Sequence, residues 1–316
     1  MDTRKPLDGT AIGLMLALCL IWALQQIALK HTAGDIAPMF QIALRSGAAA
    51  AMLALFMRWR GERMSFTDGT AWPGVIAGML FALEFCLAGE GLRHTSAAHM
   101  VVFLYTAPIF AALGLHLLLP SERLAPVQWV GIVLAFGGLA MAFFGREGSV
   151  GRASENALLG DFLGLMAGAL WGATTVVVRT TRLSQAPASQ TLMYQLLGGF
   201  ALLTVVSLAT GQAHFNRTPA VWASLAFQSV VVAFISFLVW FWLLRQYMAS
   251  RLGVFSFLTP LFGILLGAWL LGERIEPSFL MGAFPVLLGI VLVSGHGWIA
   301  PALAKLMGKS AQLPAP

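Results

Sequence analysis

Ten apolar stretches follow one another along the chain, at residues 10–30, 36–57, 71–92, 96–119, 125–144, 159–179, 187–210, 219–244, 249–271 and 277–299. Each is close to or above the ~20 residues that a helix needs to cross a ~30 Å hydrocarbon layer. Backbone in lipid has to satisfy its own hydrogen bonds, so stretches of this length are expected as helices. The longest connection, "GREGSVGRASENALLG" at 145–160, is rich in glycine and charge and too short to fold alone. The pattern predicts an all-α integral membrane protein of ten transmembrane helices with no soluble catalytic domain. The first stretch follows a basic start but is as long as a full span and lacks a clean small-residue cleavage site, so it reads as a retained helix.

Composition agrees: 59% of residues are hydrophobic and 10% charged, with a mean hydropathy of +0.82, against roughly 45–50% apolar content in soluble domains. The net charge of +6 follows topology rather than a nucleic-acid partner. With the N-terminus in the cytoplasm, twelve Lys and Arg fall on that side and six on the other, and Arg45 alone lies inside a span. This predicts that both termini are cytoplasmic. No basic run is dense enough for a nucleic-acid surface. Cys19 and Cys86 sit inside apolar spans, where they read as small hydrophobes, and neither a metal nor another cofactor is expected.

The spans repeat. Shifted by 149 residues, Trp22 falls on Trp171, Lys30 on Arg179, Ala37-Pro38 on Ala186-Pro187, and Gln41 on Gln190. Shifted by 152, "LRHTSAAHMVVFLYTAP" (92–108) faces "LRQYMASRLGVFSFLTP" (244–260), which pairs Pro108 with Pro260. One residue of slip later, "SERL" (121–124) faces "GERI" (272–275), and Gly131 and Gly138 face Gly282 and Gly289. The units are 10–144 and 159–299, joined by a linker at 145–158 and followed by a tail at 300–316. An odd number of spans per unit turns the second unit upside down in the membrane, which predicts two inverted five-helix repeats around a central cavity, the pattern of many secondary transporters.

This 5+5 order, with a Trp in the first helix of each half, an Arg in the second helix, a Pro in the fourth and ninth, and "ER" before a glycine-spaced last helix, resembles the drug/metabolite transporter superfamily. Within it the chain is similar to the ten-helix EamA-type exporters, including bacterial amino-acid exporters. The resemblance covers roughly residues 10 to 299. It implies transport of small metabolites, often outward, by alternating access, in a bacterial inner membrane.

Polar groups at mid-span are costly in lipid and are expected to turn inward. Trp22, Gln25 and Gln26 share a face of the first helix, and Trp171, Thr174 and Thr175 repeat it in the sixth. Gln41 and Arg45 in the second helix are mirrored by Gln190 and Tyr194 in the seventh, and the four stripes are expected to line one space. Glu84 is the only acidic residue of the first half at the depth of Arg45. The two read as a structural ion pair, or one of them meets the carboxylate or ammonium of a zwitterionic substrate, and both roles can coexist. Ser236 stands where Glu84 would be in the second half, so the charged site is asymmetric. His99, Phe103, Thr106 and Phe110 on the fourth helix, Tyr105 near its proline, and Ser229, Ser236 and Trp240 on the eighth are further candidates for the cavity, although such stripes also serve packing. Pro108 and Pro260 read as kinks and candidate hinges. Glycines spaced by four, at 160–172, at Gly74 and Gly78 and at Gly263 and Gly267, predict close helix contacts. Glu122-Arg123 and Glu273-Arg274 read as local pairs or anchors at helix ends.

No HExxH, GxSxG, P-loop or metal-diphosphate aspartate pair is present, so an enzyme is not expected. A channel filter is not readily built from a two-fold repeat in one chain. A single central Arg opposed by Glu suits zwitterions better than the several cations an anion carrier needs. Export of neutral or aromatic amino acids is therefore the first expectation. A multidrug or amphipathic-cation exporter is the alternative, with a sugar-phosphate or nucleotide-sugar carrier behind both. The expected partners are the substrate and the bilayer. The oligomeric state is left open, with a monomer compatible.

Overall fold

The protein is described by a computed structural model covering residues 5, 7–91, 94, 97–144, 157–271 and 277–294. Helices α1 (Gly9–Thr32), α2 (Pro38–Trp59) and α3 (Ala71–Gly91) match the first three expected spans to within a few residues. The fourth span is in two pieces, α4 (Ala97–Leu104) and α5 (Ala107–Leu118), and α6 (Pro126–Phe144) follows after a 3₁₀ turn at Pro120–Glu122. Helices α7 (Ala157–Thr180) and α8 (Ala188–Ala209) are continuous. The next span begins as α9 (Pro219–Ala226), widens into a π-helical stretch at Phe227–Ser236 and ends as α10 (Phe237–Gln246). The pair α11 (Ala249–Phe255) and α12 (Leu258–Leu271) is again one span in two pieces, and α13 (Pro277–Ser294) is the last helix. Among the described residues eight segments are long and apolar enough to cross a membrane, and Pro126–Met141 and Met281–Val293 are shorter apolar helices. Most of the expected linker and all of the expected tail lie outside the described residues.

The outer surface is apolar, with Trp59, Trp72, Leu158, Trp269 and Phe284 exposed, whereas Gln41, Arg45, Gln190 and Gln228 are buried. Such an arrangement suits a chain that faces lipid and keeps its polar groups inside.

The two broken spans carry Pro108 and Pro260 at the start of their second pieces. Proline lacks an N–H and its ring displaces the carbonyl one turn earlier, so the preceding turn tightens. At the first break Thr106 N–H and Oγ1 both donate to Phe103 O, at 3.2 and 2.6 Å. At the second, Ser256 N–H and Oγ donate to Gly253 O, at 3.0 and 2.6 Å. This leaves the Phe255 carbonyl free, and Cys19 Sγ donates to it at 3.2 Å. Cys19 is therefore a cap for a broken helix as well as a small hydrophobe.

Glycines set the close crossings. Helices α6 and α13 run antiparallel in contact: a Cβ on Gly131 would stand 2.8 Å from Gly289 O, and one on Gly138 would stand 2.5 Å from Gly282 O. Helices α3 and α8 run parallel, with the Tyr194 ring lying on Gly74, and Gly78 against Gly198. Gly164, Gly168 and Gly172 form the flat face of α7 on which α4, the break and α5 rest. Gly263 differs from the expectation: among the described residues nothing lies within 4 Å of where its Cβ would be, so it serves no crossing there.

Candidate functional site

A cavity of about 110 Å³ lies among α1, α3, α7, α8 and α10, beside the break between α4 and α5. That is several times the roughly 10–15 Å³ that one water needs by the same kind of measure. The α1 face contributes Trp22, Gln25 and Gln26, and the α7 face contributes Trp171, Thr174 and Thr175. Glu84, Tyr105 and Trp240 complete the sequence-predicted residues that reach it. Two of its rings meet edge-on with others, Trp22 with Trp240 at 5.7 Å and Tyr105 with Trp171 at 5.5 Å between centroids. Trp22 Nε1 donates to Ser236 Oγ at 3.1 Å, so Ser236 orients the indole and does not itself line the space.

Sequence reasoning missed Phe81 and Phe85 of α3, Phe237 and Phe241 of α10, and Gln195 of α8, all of which line the cavity. The repeat held a usable signal: Phe85 and Phe237 are 152 apart, the register that pairs Pro108 with Pro260.

The second and seventh helix stripes go elsewhere. Gln41 Nε2 donates to Ser224 Oγ at 2.6 Å, and Thr32 Oγ1 donates to Gln41 Oε1 at 3.0 Å. Gln190 Nε2 donates to Thr70 Oγ1 at 2.6 Å and to Ser65 O at 2.9 Å, and Tyr194 OH donates to Ser65 O at 3.4 Å. Both glutamines bind a hydroxyl near the start of another span, since a buried amide is better satisfied by a neighbouring helix than left facing a cavity. Thr106 bonds locally, Ser229 is buried away from the cavity, and Phe103 and Phe110 rest on the α7 glycine face. The His99 side chain lies outside the described ones.

Arg45 and Glu84 are not joined by an ion pair. Arg45 Nη1 donates to Gln228 Oε1 at 2.6 Å, and its Cζ stands over the Phe85 and Phe237 rings at 5.5 and 5.8 Å. Gln228 Nε2 donates in turn to Gln25 O at 3.1 Å. Glu84 lines the cavity and makes no hydrogen bond among the described residues. The Thr174 and Thr175 hydroxyls bond carbonyls of their own helix. The cavity offers a ligand the Glu84 carboxylate, the Gln26 amide, Gln25 Oε1 and Gln195 Nε2, the last two buried without a partner among the described residues. Acceptors and a donor among aromatic walls suit a small molecule that carries an ammonium beside an apolar body.

A clasp of buried charges stands beside the cavity. Arg179 donates through Nε and Nη2 to Glu122 Oε1 and through Nη1 to Leu244 O. Glu122 also accepts from Ala249 N–H, Ser250 N–H and Ser250 Oγ, at 3.0, 3.1 and 2.5 Å. Both side chains are fully buried, and Val178 and Leu244 beside them line the cavity. Glu122 thus reaches across to α7 and α11 rather than to its neighbour Arg123.

Comparison with known proteins agrees with this architecture. A transporter named YoaV from Bacillus subtilis is 26% identical over 282 residues, which cover 88% of this chain and 94% of that one. Protein PA1977 of Pseudomonas aeruginosa is 28% identical over 305 residues, 96% of this chain and 98% of its own. A crystal structure of a protein at 19% identity superposes with a TM-score of 0.79, covering 95% of this chain and 99% of the other, and shows the same fold. The model of the EamA-like transporter family matches twice, at residues 9–144 and 158–295. The chain therefore belongs to the EamA-like transporter family.

Proposed function

We propose that this transporter is a secondary carrier that exports neutral amino acids, aromatic ones first, by alternating access. The observation that carries the proposal is the cavity itself: Glu84 is the one charged group among the described residues lining it, and it sits among tryptophan and phenylalanine rings with Gln25 and Gln195. A carboxylate and an amide oxygen receive the ammonium, the rings take the side chain, and an amide N–H serves the carboxylate end. A sugar phosphate would bring several negative charges to a cavity whose lining charge is negative, which disfavours that class.

The architecture belongs to the same proposal. Ten spans form two inverted five-helix units, 10–144 and 159–299, in an inner membrane with both termini in the cytoplasm. Support comes from the double family match, from the antiparallel α6 and α13 crossing, whose Gly131–Gly289 contact is the repeat's counterpart of its Gly138–Gly282 contact, and from the matching breaks at Thr106 and Ser256. Two similar halves around one cavity let it face either side as they exchange conformations.

Counterflow into proteoliposomes loaded with unlabelled neutral amino acids tests the reading. Accumulation of labelled phenylalanine or tryptophan above empty liposomes is expected. No accumulation by folded protein overturns it. The lone carboxylate in an aromatic box also favours a second reading, an amphipathic organic cation, which the same vesicles test with a labelled aromatic amine.

A further inference from the structure

Arg45 is the largest fully buried side chain described, at 0% exposure, and its charge is incompletely met. Nη1 is held by Gln228, but Nε and Nη2 donate to no protein acceptor among the described residues. A buried charge in this state is costly, and an apolar residue of similar volume would be the simpler way to fill the space. The two free nitrogens form the side edge of the guanidinium, whose parallel N–H groups match the two oxygens of a carboxylate. Gln228 grips the opposite edge and is itself anchored on the backbone of Gln25, a cavity residue, so the free edge has a set orientation.

Phe85 and Phe237 cover the guanidinium. Each ring touches Arg45 and each also lines the cavity, which Arg45 does not. Phe81 packs edge-on against both, at 5.0 and 6.1 Å between centroids. Because Phe85 and Phe237 occupy equivalent positions of the two repeats, the cover has one leaf from each half, and movement of the halves against each other is the motion that parts them.

We infer that Arg45 is the carboxylate-binding group of the transport site, screened by Phe85 and Phe237 and reached by the substrate when these rings separate. This rests on the amino-acid reading above and narrows it: a substrate presents a carboxylate to Arg45 as well as an ammonium to Glu84. An aromatic amine engages Glu84 alone and leaves the fork of Arg45 unfilled.

The test compares labelled L-phenylalanine with labelled phenethylamine, the same ring and ammonium without the carboxylate, in counterflow by the full chain. Wild-type protein is expected to favour phenylalanine by about tenfold or more in kcat/KM, as a charge-assisted bidentate pair implies. Arg45→Met keeps the volume and removes the fork, and is expected to collapse that ratio toward one. Phe85→Leu with Phe237→Leu is expected to lower the KM for phenylalanine more than for the amine. Equal treatment of the two ligands by wild type overturns the inference without needing a variant. A parallel fall for both ligands in folded Arg45→Met overturns it as well. Carriage of phenethylamine alone removes the carboxylate site together with the amino-acid reading and leaves the organic-cation reading standing, whereas carriage of neither removes both readings.

Discussion

Glu84 and Gln41 are both polar residues of apolar helices, and their fates differ because of what stands opposite each. Gln41 finds Ser224 and Thr32 and becomes part of the packing, while Glu84 lines the cavity with no hydrogen-bond partner among the described residues. Under the amino-acid reading, Glu84→Gln keeps the shape and deletes the charge. Phenylalanine counterflow should fall at least about tenfold, as loss of a charge-assisted contact implies, with an unchanged gel-filtration profile. A second residue-scale prediction lies outside the spans. The Asp8 carboxyl is held below its ordinary value of 3.8, first by the Ala11 N–H and next by the Tyr247 hydroxyl. A lowered value in the folded chain means that this strap is present above the ordinary value and is lost as pH falls through the lowered one. Amide exchange at Ala11, corrected for intrinsic rates, should therefore accelerate below pH 3.8, and Asp8→Ala should produce the same loosening at neutral pH. The apolar and polar character of these residues was legible in sequence. Their partners were not, because Ser224 is 183 residues from Gln41.

Helix breaks and glycine faces belong to the next scale. The break between α4 and α5 rests on Gly168, where a Cβ would stand 2.5 Å from Thr106 Oγ1 and 2.7 Å from Phe103 O. Gly168→Ala should destabilise the protein by about 1–3 kcal/mol, the usual cost of overfilling a packed contact, read as a lower midpoint in thermal unfolding followed by aggregation-sensitive chromatography. Gly263→Ala is the matched control, with open space at its Cβ. There the gain in helix propensity, up to about 1 kcal/mol, should leave the midpoint unchanged or raised. Sequence spacing treated Gly168 and Gly263 alike, since a run of small residues marks a face without saying what lies against it. Proline likewise announced both kinks. The π-helical stretch had no such marker, because its Gln228 and Ser236 are held by Arg45 and Trp22 of distant helices.

At the scale of the molecule, the Glu122–Arg179 clasp ties the turn after α5 to α7, α10 and α11 beside the cavity. Arg179→Met would leave Glu122 buried without its cation, and a loss of about 3–5 kcal/mol is expected. Adding Glu122→Gln should recover part of it, which a double-mutant cycle on unfolding midpoints measures. The repeat places Lys30 and Glu273 at the positions of Arg179 and Glu122; the Lys30 side chain and Glu273 lie outside those described. A cysteine at Leu244, whose carbonyl Arg179 binds, should react with an impermeant maleimide faster in Arg179→Met than in the otherwise wild-type chain.

Sequence alone determined the class of the protein, the approximate course of its apolar spans and its family, because these depend on hydropathy, on local backbone chemistry and on order along the chain. It also marked the α1 and α7 faces that line the cavity, since a polar stripe in an apolar helix has to turn inward. Tertiary structure alone decided that Arg45 lies behind Phe85 and Phe237 instead of beside Glu84, that Glu122 reaches Arg179, and that Gln190 binds Thr70. Each choice is a competition among several inward-facing partners of similar chemistry. The winner is set by which helices cross, and that depends on glycine contacts and helix breaks far away in the chain.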